Sequence, residues 1–388
     1  MKKLLIMALL AQSLTSFSQQ ALWGGEEIAS PEIHDDNTVT FRLNAPKAKE
    51  VKLMGDWMPV KEWVPAPEEM TKNENGVWTY TTDRLASDLY GYSFLVDSLS
   101  VKDPNNVYLI RDVASVTNVF IVGNGKGENY QVNNVPHGTV ARRWYESPGN
   151  EKNRRLTIYT PPGYESGNQD YPVLYLLHGM GGDEEAWIAL GRTTQIIDNL
   201  IAQGKATPMI VVMPNGNVAQ EAAPGESSKG FYRPTMQLPK TMDGQMEKTF
   251  PEIIDFVENN YRVEQDKSAR AIAGLSMGGF HALHISRYYP NTFDFVGLFS
   301  AAILPANEQV NSEIYQNLNE TLKTQKENNP KLYWIGIGKT DFLYKNVQDY
   351  IQRLDKLGMP YEYIESEGGH TWTNWRDYLV EFASKLFK

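Results

Sequence analysis

The chain has 388 residues, 41% of them hydrophobic and 22% charged, and its formal net charge is −10. This length predicts two domains, and the acidity disfavours nucleic acid or an anionic membrane as a partner, so a neutral polymer suits the chain better. The sequence contains no cysteine, which excludes disulfides and a lipid anchor on cysteine. We therefore expect a globular fold that depends on its hydrophobic core alone, with no membrane anchor.

The N-terminus has the pattern of a secretory signal peptide. Lys2 and Lys3 precede an apolar run at 4–11, and Ser16 and Ser18 supply the small residues that a signal peptidase reads. The run is too short to span a bilayer. We expect cleavage after Ser18, so that residues 1–18 are the signal peptide. Losing two lysines and no acidic residue would move the net charge from −10 to −12, and the mature protein would be periplasmic or extracellular.

Residues 22–124 have a β pattern throughout. Short alternating runs at 39–43, 51–54, 76–80 and 90–96 are separated by turn residues, and no long helical period interrupts them. This spacing predicts a small β-sandwich domain. Its aromatic side chains have two interpretations, since they either stack on sugar rings or fill the core. They are Trp57, Trp63, Trp78, Tyr90 and Tyr92.

The pattern changes after a polar connector at 125–150. From 151 to 388, continuous apolar runs such as YPVLYLLHG and MIVVMPNG alternate with helical stripes such as Ile196, Ile197 and Leu200. Continuous apolar strands are typical of a parallel sheet that is covered by helices on both faces. The sequence therefore predicts an α/β domain whose active groups lie at the carboxyl ends of the strands.

One predicted strand leads directly into Gly274-Leu275-Ser276-Met277-Gly278 and then into an amphipathic segment. This order of strand, Gly-x-Ser-x-Gly and helix is the pattern of a nucleophile elbow. The serine at such a turn has a strained backbone, so small residues are needed two positions away on either side. We therefore predict Ser276 as a catalytic nucleophile.

A serine hydroxyl needs a base to take its proton and an acid to orient that base. His370 is the one histidine near the C-terminus, and two glycines precede it. Asp341 follows a predicted strand one βα unit earlier, which makes it the predicted acid. The rival acids are Glu365, Glu367, Asp349 and Asp355. His281 and His284 follow the elbow on its helix, and we interpret them as packing or surface residues, since two histidines alone make no metal site.

The reaction also needs backbone donors for the developing oxyanion. The N–H of Met277, just after the nucleophile, is one predicted donor, and the N–H of Met180 in the glycine-rich turn HGMGG is the other. We expect His178 to shape this turn with its ring rather than to act as a base.

The region after the connector contains the motifs YPVLYLLHGMGGDEEAW, GRTTQIIDNLI, PMIVVMPNGN, AGLSMGG, GKTDFLY and GGHTWTNWRDYL. Together they resemble carbohydrate esterase family 1, which includes feruloyl and acetylxylan esterases and is related to the esterase D group. The N-terminal phrases VTFRLNAPKAKEVKLMGDW, GVWTYTT and YGYSFLVDS resemble carbohydrate-binding module family 48 and related immunoglobulin-like domains. The resemblance implies an α/β-hydrolase after an immunoglobulin-like β-sandwich. It also implies serine hydrolysis of ester decorations on plant xylan, without metal or cofactor.

The expected substrate is arabinoxylan or its oligosaccharides, with a feruloyl ester preferred over an acetyl ester. A feruloyl group requires a flat apolar slot, for which Trp372, Trp187 and Tyr232 are the predicted substrate-binding residues, with Phe231 and Trp375 nearby. The irregular insertion at 222–244 is a predicted substrate lid. An acetylxylan esterase, a siderophore esterase, an acyl transferase and a non-catalytic glycan-binding protein remain alternatives.

Overall fold

A computed structural model describes residues 28–61, 64–236, 238–303 and 312–388. The predicted signal peptide at 1–18 and Trp63 lie outside the described residues, so both predictions remain predictions. Within these ranges, no helix combines the length and the apolar character that crossing a bilayer requires. The same ranges contain no group of three or more His, Cys, Asp or Glu residues with the arrangement of a metal site.

The N-terminal part of the chain is a β-sandwich made of short antiparallel strands. Its strands are β1 (Glu32–Ile33), β2 (Val39–Asn44), β3 (Val51–Gly55), β4 (Val60–Lys61), β5 (Val64–Pro65), β6 (Glu68–Glu69), β7 (Thr71–Lys72), β8 (Val77–Thr81), β9 (Asp88–Val96), β10 (Leu99–Val101), β11 (Leu109–Asp112) and β12 (Ser115–Val122). Over the described residues, one sheet has the order β1-β2-β8-β7 and the other has the order β11-β12-β9-β3-β6, with β10 paired to β9 and β4 paired to β5. The predicted β-sandwich is confirmed.

Four of the five predicted aromatic residues lie among the described residues, and they pack in or against the core of the sandwich. Trp78 and Tyr92 are 7% and 2% exposed. The half-buried rings of Trp57 and Tyr90 both pack on Phe120, at centroid distances of 5.6 Å. Because Trp78 and Tyr92 are covered by other side chains, the sugar-stacking interpretation is wrong for these two residues, whereas Trp57 and Tyr90 pack against the core with part of their surface exposed.

The C-terminal part of the chain is built on a second, larger sheet. Its strands are β13 (Thr139–Ser147), β14 (Lys152–Thr160), β15 (Val173–Leu177), β16 (Ile210–Pro214), β17 (Arg270–Leu275), β18 (Phe295–Phe299), β19 (Leu332–Gly338) and β20 (Glu362–Ser366). In the described part of the chain the strand order is β13-β14-β16-β15-β17-β18-β19-β20. β13, β14 and β16 pair antiparallel, and the strands from β16 to β20 pair parallel.

Helices cover both faces of this sheet. They are α1 (Ala186–Ala189), α2 (Thr193–Ala202), α3 (Gln245–Asn260), α4 (Met277–Tyr288), α5 (Leu318–Glu327), α6 (Tyr344–Leu357) and α7 (Trp372–Ala383). Alternate residues of β15 enter different cores: Tyr175 packs in one hydrophobic cluster, and Leu174 and Leu176 pack in the other. The predicted α/β-hydrolase fold with a covered, mostly parallel sheet is therefore confirmed.

The connector is shorter than the sequence indicated. Residues 139–147, assigned to it above, form β13, which pairs along its whole length with β14 as the edge of the large sheet. Most of this strand is at least partly exposed, and its polar residues (Arg142 and Arg143 among them) obscure the alternation that identifies a strand. The α/β domain therefore begins near residue 139 rather than at 151.

Candidate active site

Ser276 lies at the sharp turn between β17 and α4. Its backbone has φ 52° and ψ −115°, a combination that costs energy for any residue other than glycine. The Ser276 N–H donates to the Phe299 carbonyl over 2.9 Å, and the Ala302 N–H donates to the Ser276 carbonyl over 2.9 Å. The turn is therefore held from the neighbouring strand, and its strain positions the serine at the N-terminal end of α4.

The glycines around Ser276 allow this turn to pack against the sheet. A Cβ on Gly274 would lie 2.4 Å from the backbone of Gly278, and a Cβ on Gly278 would lie 2.3 Å from the carbonyl oxygen of Leu177. No side chain fits at either distance. The Gly-x-Ser-x-Gly spacing is thus required by the packing of the elbow.

The imidazole of His370 is held by a carboxylate. His370 Nδ1 lies 2.9 Å from Oδ2 and 3.1 Å from Oδ1 of Asp341. The Asp341 side chain is fully buried and accepts a further hydrogen bond from the N–H of Leu343 over 2.8 Å. The rings of Phe342 and Trp375 pack on the imidazole at centroid distances of 4.4 and 4.9 Å. This arrangement keeps the proton on Nδ1 and leaves Nε2 free to accept another.

The rival acids have other partners and do not reach the imidazole. Glu365 accepts a hydrogen bond from Tyr344, Glu367 pairs with Lys339, and Asp349 pairs with Lys345. Asp355 accepts from the hydroxyl of Tyr361. The structure therefore brings Asp341, and none of these four, to His370.

Ser276 and His370 line the same cavity, whose volume is about 460 Å³. Among the described residues, the serine hydroxyl makes no hydrogen bond to the imidazole in this structure. Catalytic hydrogen bonds are often long in a free enzyme and tighten when substrate binds. The shared cavity is thus the observation that joins the two groups.

The two predicted oxyanion donors also line this cavity. Met277 is the first residue of α4, so its N–H has no acceptor within the helix. Gly179, just before Met180, passes close to the elbow, because a Cβ there would lie 3.3 Å from the Cβ of Ser276. The predicted oxyanion loop and the predicted nucleophile are therefore neighbours.

His178 fixes the shape of the oxyanion loop. The ring is buried, with Nδ1 hydrogen-bonded to the carbonyl of Gly179 over 2.8 Å and Nε2 accepting from the N–H of Gly216 over 2.8 Å. Burial lowers the pKa of His178 to about 4. A neutral ring with both nitrogens engaged holds two loops together.

This burial predicts a loss of stability in acid. The unfolded chain protonates His178 below about pH 6.5, whereas the folded protein resists protonation down to about pH 4. The stabilisation is therefore present above the unfolded pKa and is lost as the pH falls through this window, by about 2–3 kcal/mol between pH 7 and about pH 4.5.

Urea unfolding of the wild type and of His178→Gln at both pH values measures this contribution. Between pH 7 and about pH 4.5, we expect the free energy of unfolding to fall by about 2–3 kcal/mol more in the wild type than in His178→Gln. Other buried groups titrate in both proteins and cancel in the comparison. Equal losses in the two proteins would contradict this role.

His281 and His284 lie away from the cavity. Both are buried, so the packing interpretation is the correct one and the surface alternative is wrong. His281 Nδ1 lies 2.9 Å from a carboxylate oxygen of the buried Glu247, and His284 Nδ1 accepts from Arg287.

Parts of the cavity wall come from segments that sequence reasoning missed. Asp112 and Val113, at the turn between β11 and β12 of the sandwich, line the catalytic cavity. Arg111 anchors this turn to Asp183 of the α/β domain over 2.5 Å. No local pattern in the sequence indicates which loop of one domain reaches the other.

The predicted lid at 222–244 contributes Met236 and Met242 to the cavity, and the segment after Asp341 contributes Phe342. Both methionines lie within the insertion that the sequence singled out, although their identity as lining residues was not predicted. The unusual length of the insertion at 222–244 was the signal in the sequence that this segment lies near the site.

Of the predicted substrate-binding residues, Trp372 lines the cavity and the other two do not. Trp187 is 1% exposed and donates its indole N–H to the carbonyl of Leu177, so it is a core residue that supports Trp372 edge-to-face at 5.2 Å. Tyr232 donates its hydroxyl to the carbonyl of Ala222. Phe231, mentioned with them, is 97% exposed outside the cavity wall, whereas Trp375 lines it.

Comparison with known families places two models on the chain. The model of the Esterase family matches residues 147–386, and the model of carbohydrate-binding module 48 (isoamylase N-terminal domain) matches residues 28–109. An endo-1,4-beta-xylanase/feruloyl esterase of Xylanibacter ruminicola is 28% identical over 369 residues, covering 92% of this chain and 46% of the relative. The chain therefore spans about half the length of that relative.

Solved structures show the same fold. A ferulic acid esterase is 26% identical, with a TM-score of 0.54 over 64% of this chain and 97% of its own. The enterobactin esterase of Shigella flexneri, solved with 2,3-dihydroxy-N-benzoyl-glycine, is 16% identical, with a TM-score of 0.63 over 95% of this chain and 98% of its own. The second likeness concerns the fold alone.

Proposed function

Since the chain belongs to the esterase family, we propose that it is a secreted serine esterase, a carboxylic ester hydrolase that releases hydroxycinnamic acids, such as ferulic acid, from decorated xylan. The relative from Xylanibacter ruminicola and the ferulic acid esterase structure support this acyl group. The carbohydrate-binding module family of the N-terminal domain supports a polysaccharide substrate.

The observation that carries the proposal is the lining of the catalytic cavity. Beside His370 the wall is largely apolar and aromatic, since Phe342 and Trp375 pack on the imidazole and Trp372 packs edge-to-face on Trp375 at 5.2 Å. A volume of about 460 Å³ lies within the usual range of ligand pockets. A flat phenolic ring can pack against such apolar and aromatic side chains, whereas an acetyl group needs only a small, shallow pocket.

The proposed mechanism uses the groups around this cavity. Ser276 Oγ attacks the ester carbonyl while His370 Nε2 takes the hydroxyl proton, and the N–H groups of Met277 and Met180 stabilise the oxyanion. The ester C–O bond breaks, the sugar alcohol leaves with the proton from His370, and the acyl group stays on Ser276. Water then attacks the acyl-enzyme and gives a proton to His370. The bond between the acyl carbon and Ser276 Oγ breaks, Ser276 takes this proton back from His370, and the acid is released.

The charge of the cavity disfavours a siderophore substrate. Its lining within the described ranges includes Asp112 and no lysine or arginine. A triply charged catecholate needs compensating positive charge at its binding site. The likeness to the enterobactin esterase is therefore attributed to the shared fold.

Removing the Trp372 ring tests the phenolic slot. We expect Trp372→Ala to lower kcat/KM for methyl ferulate by about 10-fold, because an aromatic contact and the apolar area of the ring are both lost. For p-nitrophenyl acetate we expect a change below about 3-fold, since an acetyl group does not reach the ring. The matched control is Trp144→Ala, a half-exposed tryptophan on the edge strand β13. Equal losses of kcat/KM on the two esters would show that Trp372 is not part of the phenolic slot.

The acyl group itself is tested by comparing methyl ferulate, p-nitrophenyl acetate and acetylated xylan as substrates of the purified protein. The proposal predicts efficient release of ferulate with poor deacetylation of xylan. Efficient deacetylation without ferulate release would reassign the protein as an acetylxylan esterase. Activity on none of the three would overturn the proposed substrate class.

A further inference from the structure

A second cavity, of about 630 Å³, lies along the sandwich and shares no lining residue with the catalytic cavity. Its lining includes residues of β11 and β12 together with Val132 and Arg192, which lie outside the sandwich strands. It is larger than the catalytic cavity. Neither the proposed reaction nor the core of either domain accounts for it.

Part of the lining of this cavity is apolar and exposed to solvent. Among the lining residues, Tyr108 is 73% exposed, Val107 is 82% exposed and Val132 is 66% exposed. The tyrosine ring thus differs from Tyr90 and Tyr92, which pack in or against the sandwich core. An exposed aromatic side chain in the lining of a cavity is suited to cover the apolar face of a pyranose ring.

The lining also includes a cation without a matching carboxylate. Arg192 donates from Nε to the carbonyl of Tyr130 over 2.9 Å, and no acidic side chain in the described ranges pairs with its guanidinium. By contrast, the guanidinium of the nearby Arg376 lies 3.4 Å from a carboxylate oxygen of Asp88. Burial lowers the pKa of Arg192, and the charge of Arg376 lowers it further. Arg192 is therefore a largely buried cation that has no carboxylate partner of its own among the described residues.

The position of Arg192 is set by the fold. The residue caps the N-terminus of α2 with a left-handed backbone, φ 54° and ψ 31°. The Nε bond to Tyr130 orients the guanidinium, so a ligand meets a preorganised donor rather than a flexible side chain. A guanidinium with free N–H groups binds a carboxylate by two parallel hydrogen bonds. Asn105 and Gln131 add amide groups to the cavity lining.

We propose that this cavity is a non-catalytic site for a uronic acid unit carried on a polysaccharide, with the sugar ring on Tyr108 and the carboxylate on Arg192. The site goes beyond the proposed ester hydrolysis, since it recognises a charged decoration of the polymer and leaves it intact. A neutral sugar leaves Arg192 without a counter-charge, and a small inorganic anion leaves the apolar wall uncovered. The net charge of −10 limits the ligand to a sparsely charged polymer.

Binding to two oligosaccharides of matched length tests the site. Isothermal titration of the full chain uses a xylo-oligosaccharide that carries one glucuronic acid and its neutral counterpart, neither with an ester. We expect the acidic ligand to bind about 10- to 100-fold more tightly, as a charge-assisted hydrogen-bonded pair implies. Raising the salt concentration should reduce this preference.

Arg192→Gln should abolish the preference while leaving the weaker binding of the neutral ligand, and Tyr108→Ala should weaken both ligands about equally. The matched control, Arg353→Gln on α6, removes an exposed arginine whose bond is to Asn319. If Arg192→Gln fails to fold, Arg192→Lys serves as the second variant. It keeps the positive charge and should therefore retain part of the preference for the acidic ligand. The proposal is overturned if the wild type binds the two ligands with equal affinity. It is also overturned if Arg192→Gln keeps the full preference for the acidic ligand, or if Arg192→Lys loses that preference completely. Hydrolysis of methyl ferulate is expected to be unchanged in all four variants, so this failure is distinguishable from failure of the proposed function.

Discussion

Replacing Ser276 by alanine is expected to lower kcat/KM for methyl ferulate by at least about 10⁴-fold, as loss of a nucleophile does in serine hydrolases. The reason is local, because the hydroxyl at the strained turn is the proposed attacking group and alanine offers no atom to form the acyl-enzyme. Alanine fits the same backbone, so the fold is expected to persist. Rates of ferulate release by the two purified proteins, with circular dichroism as the check on folding, provide the measurement.

The matched control for this variant is Ser166→Ala. Ser166 is an exposed serine in the same domain, and its hydroxyl donates only to the carbonyl of Gly163 over 3.2 Å. Its activity should stay within about 2-fold of the wild type, as for most surface substitutions. If Ser276→Ala retained a tenth or more of wild-type activity, Ser276 would not be the nucleophile.

Asp341→Asn is expected to lower kcat by about 10⁴-fold with little change in the structure of the site. The amide keeps the size of the carboxylate, but its NH₂ group opposes the Nδ1–H of His370 and favours the wrong tautomer. The imidazolium that forms when His370 takes the serine proton also loses its counter-charge. Steady-state kinetics on methyl ferulate measure this loss in kcat.

Asp349→Asn is the matched control for the acid. Asp349 lies on α6, close in sequence to Asp341, and pairs on the surface with Lys345 over 2.8 Å. Exposed pairs of this kind contribute little, so we expect activity within about 2-fold of the wild type. A larger loss in Asp349→Asn than in Asp341→Asn would contradict the assignment of the acid.

The elbow was predictable because its pattern is local. Gly274 and Gly278 are required by contacts within a few residues of Ser276, and the apolar strand before them is continuous in the sequence. His370 and Asp341 were identified from chain order alone, and the structure brings both to one place. Their catalytic roles remain predictions that the two substitutions above test.

Features that depend on distant packing were not predictable in the same way. Trp187 and Trp372 were both predicted to bind substrate, yet one lies in the core and the other lines the cavity. Val113 reaches the catalytic cavity from the other domain, and a Cβ on Gly181 would lie 2.8 Å from its side chain. Such contacts arise from the docking of the two domains, which no periodicity within either domain encodes.

Trapping the acyl-enzyme shows whether hydrolysis proceeds through a covalent bond to Ser276. The protein is mixed with methyl ferulate, quenched in acid within the first turnover and analysed by intact-mass and peptide mass spectrometry. We expect a mass increase of one feruloyl group, located on the peptide that contains Ser276 and absent from Ser276→Ala. A feruloyl group on another residue, or release of ferulate with no covalent intermediate in repeated early quenches, would contradict this expectation.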